Sequence, residues 1–353
     1  MRKREFGQLG NGQKAHLFTI NNKRGFTARI SDYGATLVAL EVPDRDGDIK
    51  DVVQGYEDVS GYELSTYYMG ATIGRHAGQI RGGRFELGGK TYHTVINDMD
   101  NTMHGGPEGF HSRLFRVIKH TEDNLTLTYL SKDGEAGFPG NLEVMVTYRL
   151  TDNDELHIEF DAICDQDTVL SMTNHAYFNL NGHDGATVLN HKLKINAMDY
   201  MEVDEQCVPN GKILSVVGTP FDFTEFHEVG ARIDEDEEQL KRNGGYDHNW
   251  MIASVFDGKM RLSCELKSDS GLRHMQIFSN KPGLQMYSGN YLDGKFSGKE
   301  GIHYDRRSSL CLEPQLCPDS LSNLNFPSAI LKAGERYAYR SIYKFVDAGF
   351  IPV

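Results

Sequence analysis

The chain has 353 residues, of which 39% are apolar, with 18 Phe, 17 Tyr and a single Trp, and it carries a net charge of −13 at pH 7. This is a globular composition, long enough to build a core without disulfides or a structural metal. The charge argues against nucleic acid or an anionic membrane surface as the main partner, and no segment approaches the roughly 20 consecutive apolar residues that span a bilayer.

In chain order, Met1-Arg2-Lys3-Arg4-Glu5 is basic with no apolar stretch behind it, so no secretory signal is expected. A helical turn is predicted near Asp58–Leu64. Arg84-Phe85-Glu86-Leu87 and Lys90-Thr91-Tyr92 flank Gly88-Gly89 and read as a hairpin with a two-residue turn. Period-two runs follow. They are Leu125-Leu127-Tyr129, then Leu142, Val144, Val146, Tyr148 and Leu150, and then Leu156, Ile158, Phe160 and Ala162 beyond the turn at Thr151–Asp154. From Val169 the alternation sets Ser171, Thr173, His175 and Tyr177 on one face, with Leu170 and Met172 on the other. A short helix is expected at Asp236–Arg242, ending at Gly244, with the acidic run from Asp234 to Glu238 as a solvated face at its N-terminus. Alternation returns at Leu262-Cys264-Leu266 and at Tyr337, Tyr339, Ser341, Tyr343 and Phe345. Many strands, few short helices and no linker or repeat predict an all-β fold, a large antiparallel β-sandwich, as a single domain over 1–353. The five cysteines are widely spread and form no C-x-x-C pair, the pattern of a reducing compartment, so cytoplasm is the expected location.

Two stretches concentrate the chemistry. Asn174-His175-Ala176-Tyr177-Phe178-Asn179 places an imidazole beside a phenol and two amides. Leu312-Glu313-Pro314-Gln315 places a carboxylate at the end of an apolar run, where Pro314 restricts Glu313 to extended geometry. Partial desolvation there raises the carboxyl pKa and strengthens it as a base. His104, before Gly105-Gly106, sits in a loop that allows close approach, but His104 and His111 lack metal-ligand spacing, so no metal is expected. Asp247, in a glycine-led loop, and the amides of Gln285 and Asn290 suit hydroxyl recognition. Taken singly, each has an ordinary structural explanation: a satisfied buried histidine, a rim glutamate, a turn-forming aspartate. No G-x-S-x-G, P-loop or strand-to-helix G-x-G-x-x-G is present, so nucleophilic serine chemistry and nucleotide cofactors have no support.

In order along the chain, these residues resemble the galactose mutarotase (aldose 1-epimerase) family. The likeness runs through Asp51-Val52-Val53, Gly74-Arg75, Met103-His104-Gly105-Gly106, the Asp133–Gly140 segment, Thr173 to Leu180, Tyr246-Asp247-His248-Asn249, Gly289–Gly294, and Glu313-Pro314-Gln315 before Pro318-Asp319. The resemblance implies a cofactor-independent β-supersandwich with an open groove for a hexose. By position, Glu313 resembles the general base acting on the C1 hydroxyl and His175 the general acid at the ring oxygen. His104, Tyr177, Asp247 and Gln285 resemble the groups that hold hydroxyls and assist that protonation. Isolated pKa values of about 4.3 for Glu and 6.5 for His predict an ionised base and a partly protonated acid near neutrality.

Two departures stand out. Gly78-Gln79 occupies the place where the family usually has Asn-Arg, which predicts a roomier groove, less tuned to galactose and open to a disaccharide such as maltose. Pro314 stands where Thr is common, which predicts altered backbone rigidity. The expected partner is a small sugar, with the chain a monomer or homodimer. A non-catalytic carbohydrate-binding protein is the alternative. A glycoside hydrolase using Asp247 with Glu313 ranks below it, as does a hexose-phosphate epimerase, because Arg75, Arg81 and Arg84 read as hairpin-surface residues.

Overall fold

The computed structural model describes residues 2–253 and 257–348. Three antiparallel sheets share one apolar core. A five-stranded sheet begins with Arg2–Gln8 and ends with Ile49–Asp51. A nine-stranded sheet contains Asn124–Ser131, Leu142–Thr151, Glu155–Cys164 and Arg336–Val346 as consecutive neighbours, followed by His274–Ser279 and Arg261–Lys267. A six-stranded sheet runs Tyr177–Phe178, Leu310–Gln315, Gly283–Tyr287, Asp247–Met251, Asp199–Val203 and Pro209–Ser215. Residues such as Ile30, Val146 and Met286, one from each sheet, belong to the same buried cluster.

The period-two reading holds closely in the long strands. Leu142, Val144, Val146, Tyr148 and Leu150 are all buried, while Glu143 and Met145 face out. Burial of one face at period two is what fixes this register. Gly88 and Gly89 make the expected hairpin turn between Arg84–Leu87 and Lys90–His93, both with positive φ. Both predicted helices form. Val59–Leu64 is capped by the Asp58 side chain, and Glu238–Asn243 ends on Gly244 in the left-handed conformation. The acidic run is more than a solvated face, since Glu237 caps the second helix and Asp234 pairs with Arg307 at 2.7 Å. Among the described residues no helix is long and apolar enough to cross a membrane.

Four local expectations need correction. The segment after Thr168 is not one strand. Thr168–Val169, Thr173–Asn174 and Tyr177–Phe178 are two-residue pieces pairing with Ile330–Leu331, Thr72–Ile73 and Leu310–Cys311 respectively. Every residue from Thr168 to Leu180 is buried, so alternation marked no solvent face. Glu313 is likewise not at a strand end; it lies inside the buried strand Leu310–Gln315, within the six-stranded sheet. Pro314 is tolerated there because the neighbouring strand reaches only Cys311 and Leu310, so the missing N–H breaks no ladder on that side. Instead the Thr173 hydroxyl donates to the Pro314 carbonyl at 2.9 Å. Asp247 opens a strand rather than lying in a loop. Finally, Arg75 is buried, donating to the carbonyls of Pro139 and Gly140 and to the Ser131 hydroxyl. Its Asp133–Gly140 partner segment is thus a structural clamp.

Candidate active site

The six-stranded sheet and the loops above it enclose a cavity of about 400 Å³. Sequence-predicted residues converge on it: His175, Glu313, His104, Gly78, Gln79, Tyr177, Asp247 and Gln285 all line the wall. A second depression is lined by Lys194, Asp199, Ile213 and Met251, among others, and contains none of these residues.

Cross-strand register explains the convergence. Gln285 faces Glu313 and Asp247 faces Tyr287 in adjacent antiparallel strands, which sets the three polar side chains in one patch. Gln285 is held on both sides, donating to Asp247 Oδ1 at 2.8 Å and accepting from the Asn249 amide at 3.3 Å. Burial pushes the Asp247 carboxyl up to about 7, with the Gln285 bond opposing.

His175 and Glu313 face each other, Nε2 to Oε1, at 3.7 Å. That is too long for a hydrogen bond. Among the described residues Glu313 Oε2 has no partner, and His175 Nδ1 finds none outside its own residue. The imidazole lies nearly parallel to the rings of Tyr177 (5.1 Å, 15°) and Tyr68 (6.1 Å, 25°), with His104 edge-on at 5.3 Å. These ring contacts restrict the imidazole plane. Tyr177 donates its hydroxyl proton to the Tyr67 carbonyl at 2.8 Å, which commits that phenol to holding the ring stack.

His104 has a positive φ, and its Nδ1 accepts from the Gly78 backbone N–H at 3.2 Å. That bond leaves the proton of the neutral ring on Nε2, ready to donate. A Cβ at Gly105 would fall 2.1 Å from the Gly74 carbonyl oxygen, so only glycine lets this loop close. Gly78 does not widen the groove. Its φ is +78°, and an added Cβ would meet the Pro318 ring at 2.7 Å, so Pro318 already fills that space.

The protonation expectation also changes. Burial lowers His175 to about 4 and, first among its causes, raises Glu313 well above the usual carboxyl value. The Asp247 charge raises Glu313 further, and only Lys281 opposes. Lys281 is 2% exposed; its ammonium donates to the Met172 carbonyl and lies 4.5 Å from the Phe160 ring centroid. Burial therefore sets Glu313 above His175 in proton affinity, so the first proton the pair takes up sits on Glu313.

Gln315 is quoted in the sequence reading as part of the Glu313 stretch but is given no role there. Both of its amide atoms are buried without partners, and it lines the same wall as Glu313. The signal was present, because Gln315 is two residues on from Glu313 in a strand and so shares its face. Tyr68, which touches His104, His111 and His175, was also missed, because nothing local marks it. Conversely, Asn290 is occupied by the Tyr246 carbonyl, Asn174 by the Gly70 carbonyl, and Asn179 by Ser308. These amides are structural. Among the described residues no group of three or more His, Cys, Asp or Glu is placed to hold a metal ion.

An antiparallel β-sandwich that opposes a carboxyl and an imidazole in a polar-lined cavity has the geometry that acid–base chemistry requires. Residues 16–344 match the aldose 1-epimerase family. The galactose mutarotase of Mus musculus is 37% identical over 341 residues, covering 96% of this chain and 97% of the mouse protein. The aldose 1-epimerase of Escherichia coli K12 is 35% identical, covering 95% and 96%. A crystal structure of galactose 1-epimerase from Lactobacillus acidophilus superposes with a TM-score of 0.83 at 25% identity, covering 98% of both chains. An aldose epimerase homologue from C. elegans gives 0.84 at 30% identity, covering 94% and 99%. The chain belongs to the aldose 1-epimerase family and is an isomerase.

Proposed function

We propose that the chain interconverts the α and β anomers of a free hexose such as galactose or glucose, with Glu313 as general base and His175 as general acid. The observation that carries this reading is the 3.7 Å approach of His175 Nε2 to Glu313 Oε1 inside the cavity. Two groups so placed reach adjacent oxygens of one anomeric carbon.

The reaction conserves protons. The C1 hydroxyl gives its proton to the Glu313 carboxylate, the C1–O5 bond breaks, and O5 takes the proton from His175 Nε2. Rotation about C1–C2 turns the aldehyde over. Return of the two protons closes the ring on the other face. The pair starts and ends with one proton between them. Moving that proton from Glu313 to His175 gives the productive carboxylate–imidazolium form, and the incoming hydroxyls solvate those charges. His104 Nε2, Gln315, and the Asp247–Gln285 pair are the groups available to hold hydroxyls. Each positioned proton transfer supplies about 10²–10⁴-fold, enough for a reaction that already proceeds in water.

Polarimetry on freshly dissolved α-galactose and α-glucose tests the reading. Decay faster than in buffer is expected for at least one sugar, and no acceleration of either overturns it.

A further inference from the structure

The cavity wall has a charge imbalance. Three carboxyl groups line it, Asp98, Asp247 and Glu313, and among the described residues no Lys or Arg does. Its two histidines add no charge near neutrality, since burial lowers His175 to about 4 and His104 well below the usual imidazole value. Cations in the flanking segments are engaged elsewhere. Arg81, two residues from Gln79, is bonded to Asp204 at 2.6 Å and to Asp319 at 3.3 Å, and Lys281 donates to the Met172 carbonyl. Gln79 itself stands where the family usually has arginine and brings no charge to the wall.

The carboxyls are short of donors as well as cations. Gln285 is the one described side chain that donates to Asp247, at 2.8 Å, and no described residue donates to the half-buried Asp98 carboxylate. Glu313 is 2% exposed, yet its Oε2 has no partner among the described residues. Burial first, and then the Asp98 charge, raise Asp247 to about 7 against the Gln285 bond. A neutral sugar supplies hydroxyl donors to such groups and leaves their charge uncompensated. A ligand ammonium supplies donors and charge together, in hydrogen bonds about twice as strong as neutral ones, and a cleft lined by one sign of charge concentrates the opposite sign.

The strand order says where on the sugar that charge belongs. His175 directly precedes Tyr177–Phe178, and Glu313, Gln285 and Asp247 lie on the next three strands of the six-stranded sheet in that order. With O5 at His175 and O1 at Glu313, the C1–C2 bond continues across the sheet toward Gln285 and Asp247. The C2 substituent is therefore the one that meets the uncompensated carboxylates.

We propose that the cavity takes cationic 2-aminohexoses as substrates, with the C2 ammonium bonded to Asp247 and attracted by Asp98. This rests on the anomer-interconverting reading above. The ammonium keeps its protons, and ring opening and closure use Glu313 and His175 as for a neutral hexose.

The test follows anomer exchange of glucose, 2-deoxyglucose and 2-amino-2-deoxyglucose at about pH 6.5, where an amine with a pKa near 8 is charged. The chains compared are wild type, Asp98→Asn and Asp98→Lys, each checked by thermal melting. In wild type the aminohexose is expected to have a kcat/KM at least equal to that of glucose and about 3–10-fold above that of 2-deoxyglucose. Asp98→Asn should lower the aminohexose value by about 2–5-fold and Asp98→Lys by about 10-fold, with glucose changed less than about 2-fold. Turnover of glucose with a lower value for the aminohexose overturns the proposal and leaves the hexose reading standing. Aminohexose and glucose values that move together in both Asp98 variants also overturn it. Acceleration of no sugar removes both.

Discussion

Replacing Glu313 by glutamine separates what the carboxyl does for chemistry from what it does for the fold. Glu313 is 2% exposed, its Oε2 has no partner, and its Oε1 stands 3.7 Å from His175, beyond hydrogen-bond reach. An amide of the same shape therefore loses no protein hydrogen bond and removes an ionisable group that burial disfavours. The expected change in stability is no more than about 1 kcal/mol, a few °C in melting temperature, in either direction. Activity should respond very differently. Loss of the base costs about 10²–10⁴-fold, or roughly 2.7–5.4 kcal/mol at 1.36 per tenfold. Polarimetric kcat/KM for galactose and a thermal melt read the two quantities on the same preparations. A Glu313→Gln protein that keeps activity within tenfold of wild type refutes the base assignment. A melting temperature lowered by more than about 10 °C refutes the account of Glu313 as an unpartnered group.

Three further outcomes follow from the site. Lys281 is the cation that favours ionised Glu313, against Asp247 and burial, and its own ammonium is pushed down to about 7 by burial. Lys281→Met should raise the Glu313 pKa, the higher of the pair, so the alkaline limb of the kcat/KM profile moves to higher pH, while Lys281→Arg stays near wild type; an unmoved limb counts against this role. Asp247, raised to about 7 by burial, binds more protons folded than unfolded, so it subtracts stability as pH rises from about 4 through 7. Asp247→Asn should therefore gain on wild type between pH 5 and 8 by about 2–4 kcal/mol, measured by urea melts at the two ends; a constant difference contradicts the sign. Gly78→Ala places a Cβ 2.7 Å from Pro318 in a left-handed backbone, which should cost about 2–5 kcal/mol. Near-zero loss would restore the idea of an open space there.

Much of this architecture was legible because burial wrote it into the sequence at period two. Strands with one solvent face, such as Leu142–Thr151, announce themselves. The buried stretch around His175 does not, because residues on both sides of its backbone are enclosed and the chain changes partner strands every few residues. Glu313 was found by its proline and His175 by its neighbours. Tyr68, Gln315, and the role of Gly78 against Pro318 depend on contacts between distant segments, which no local pattern encodes. The isolated pKa values misled for the same reason. Burial, a tertiary property, moves His175 and Glu313 in opposite directions and sets the carboxyl above the imidazole in proton affinity.

The most direct test of the central claim is the rate of exchange between α- and β-galactose at equilibrium, followed by NMR, for wild type, Glu313→Gln, His175→Asn and the double variant. If the two residues work as one proton-sharing unit, wild type accelerates exchange and all three variants fall to a common floor, with the double no worse than either single. Losses that multiply in the double variant, or a wild-type chain that leaves the exchange rate of buffer unchanged, would contradict it.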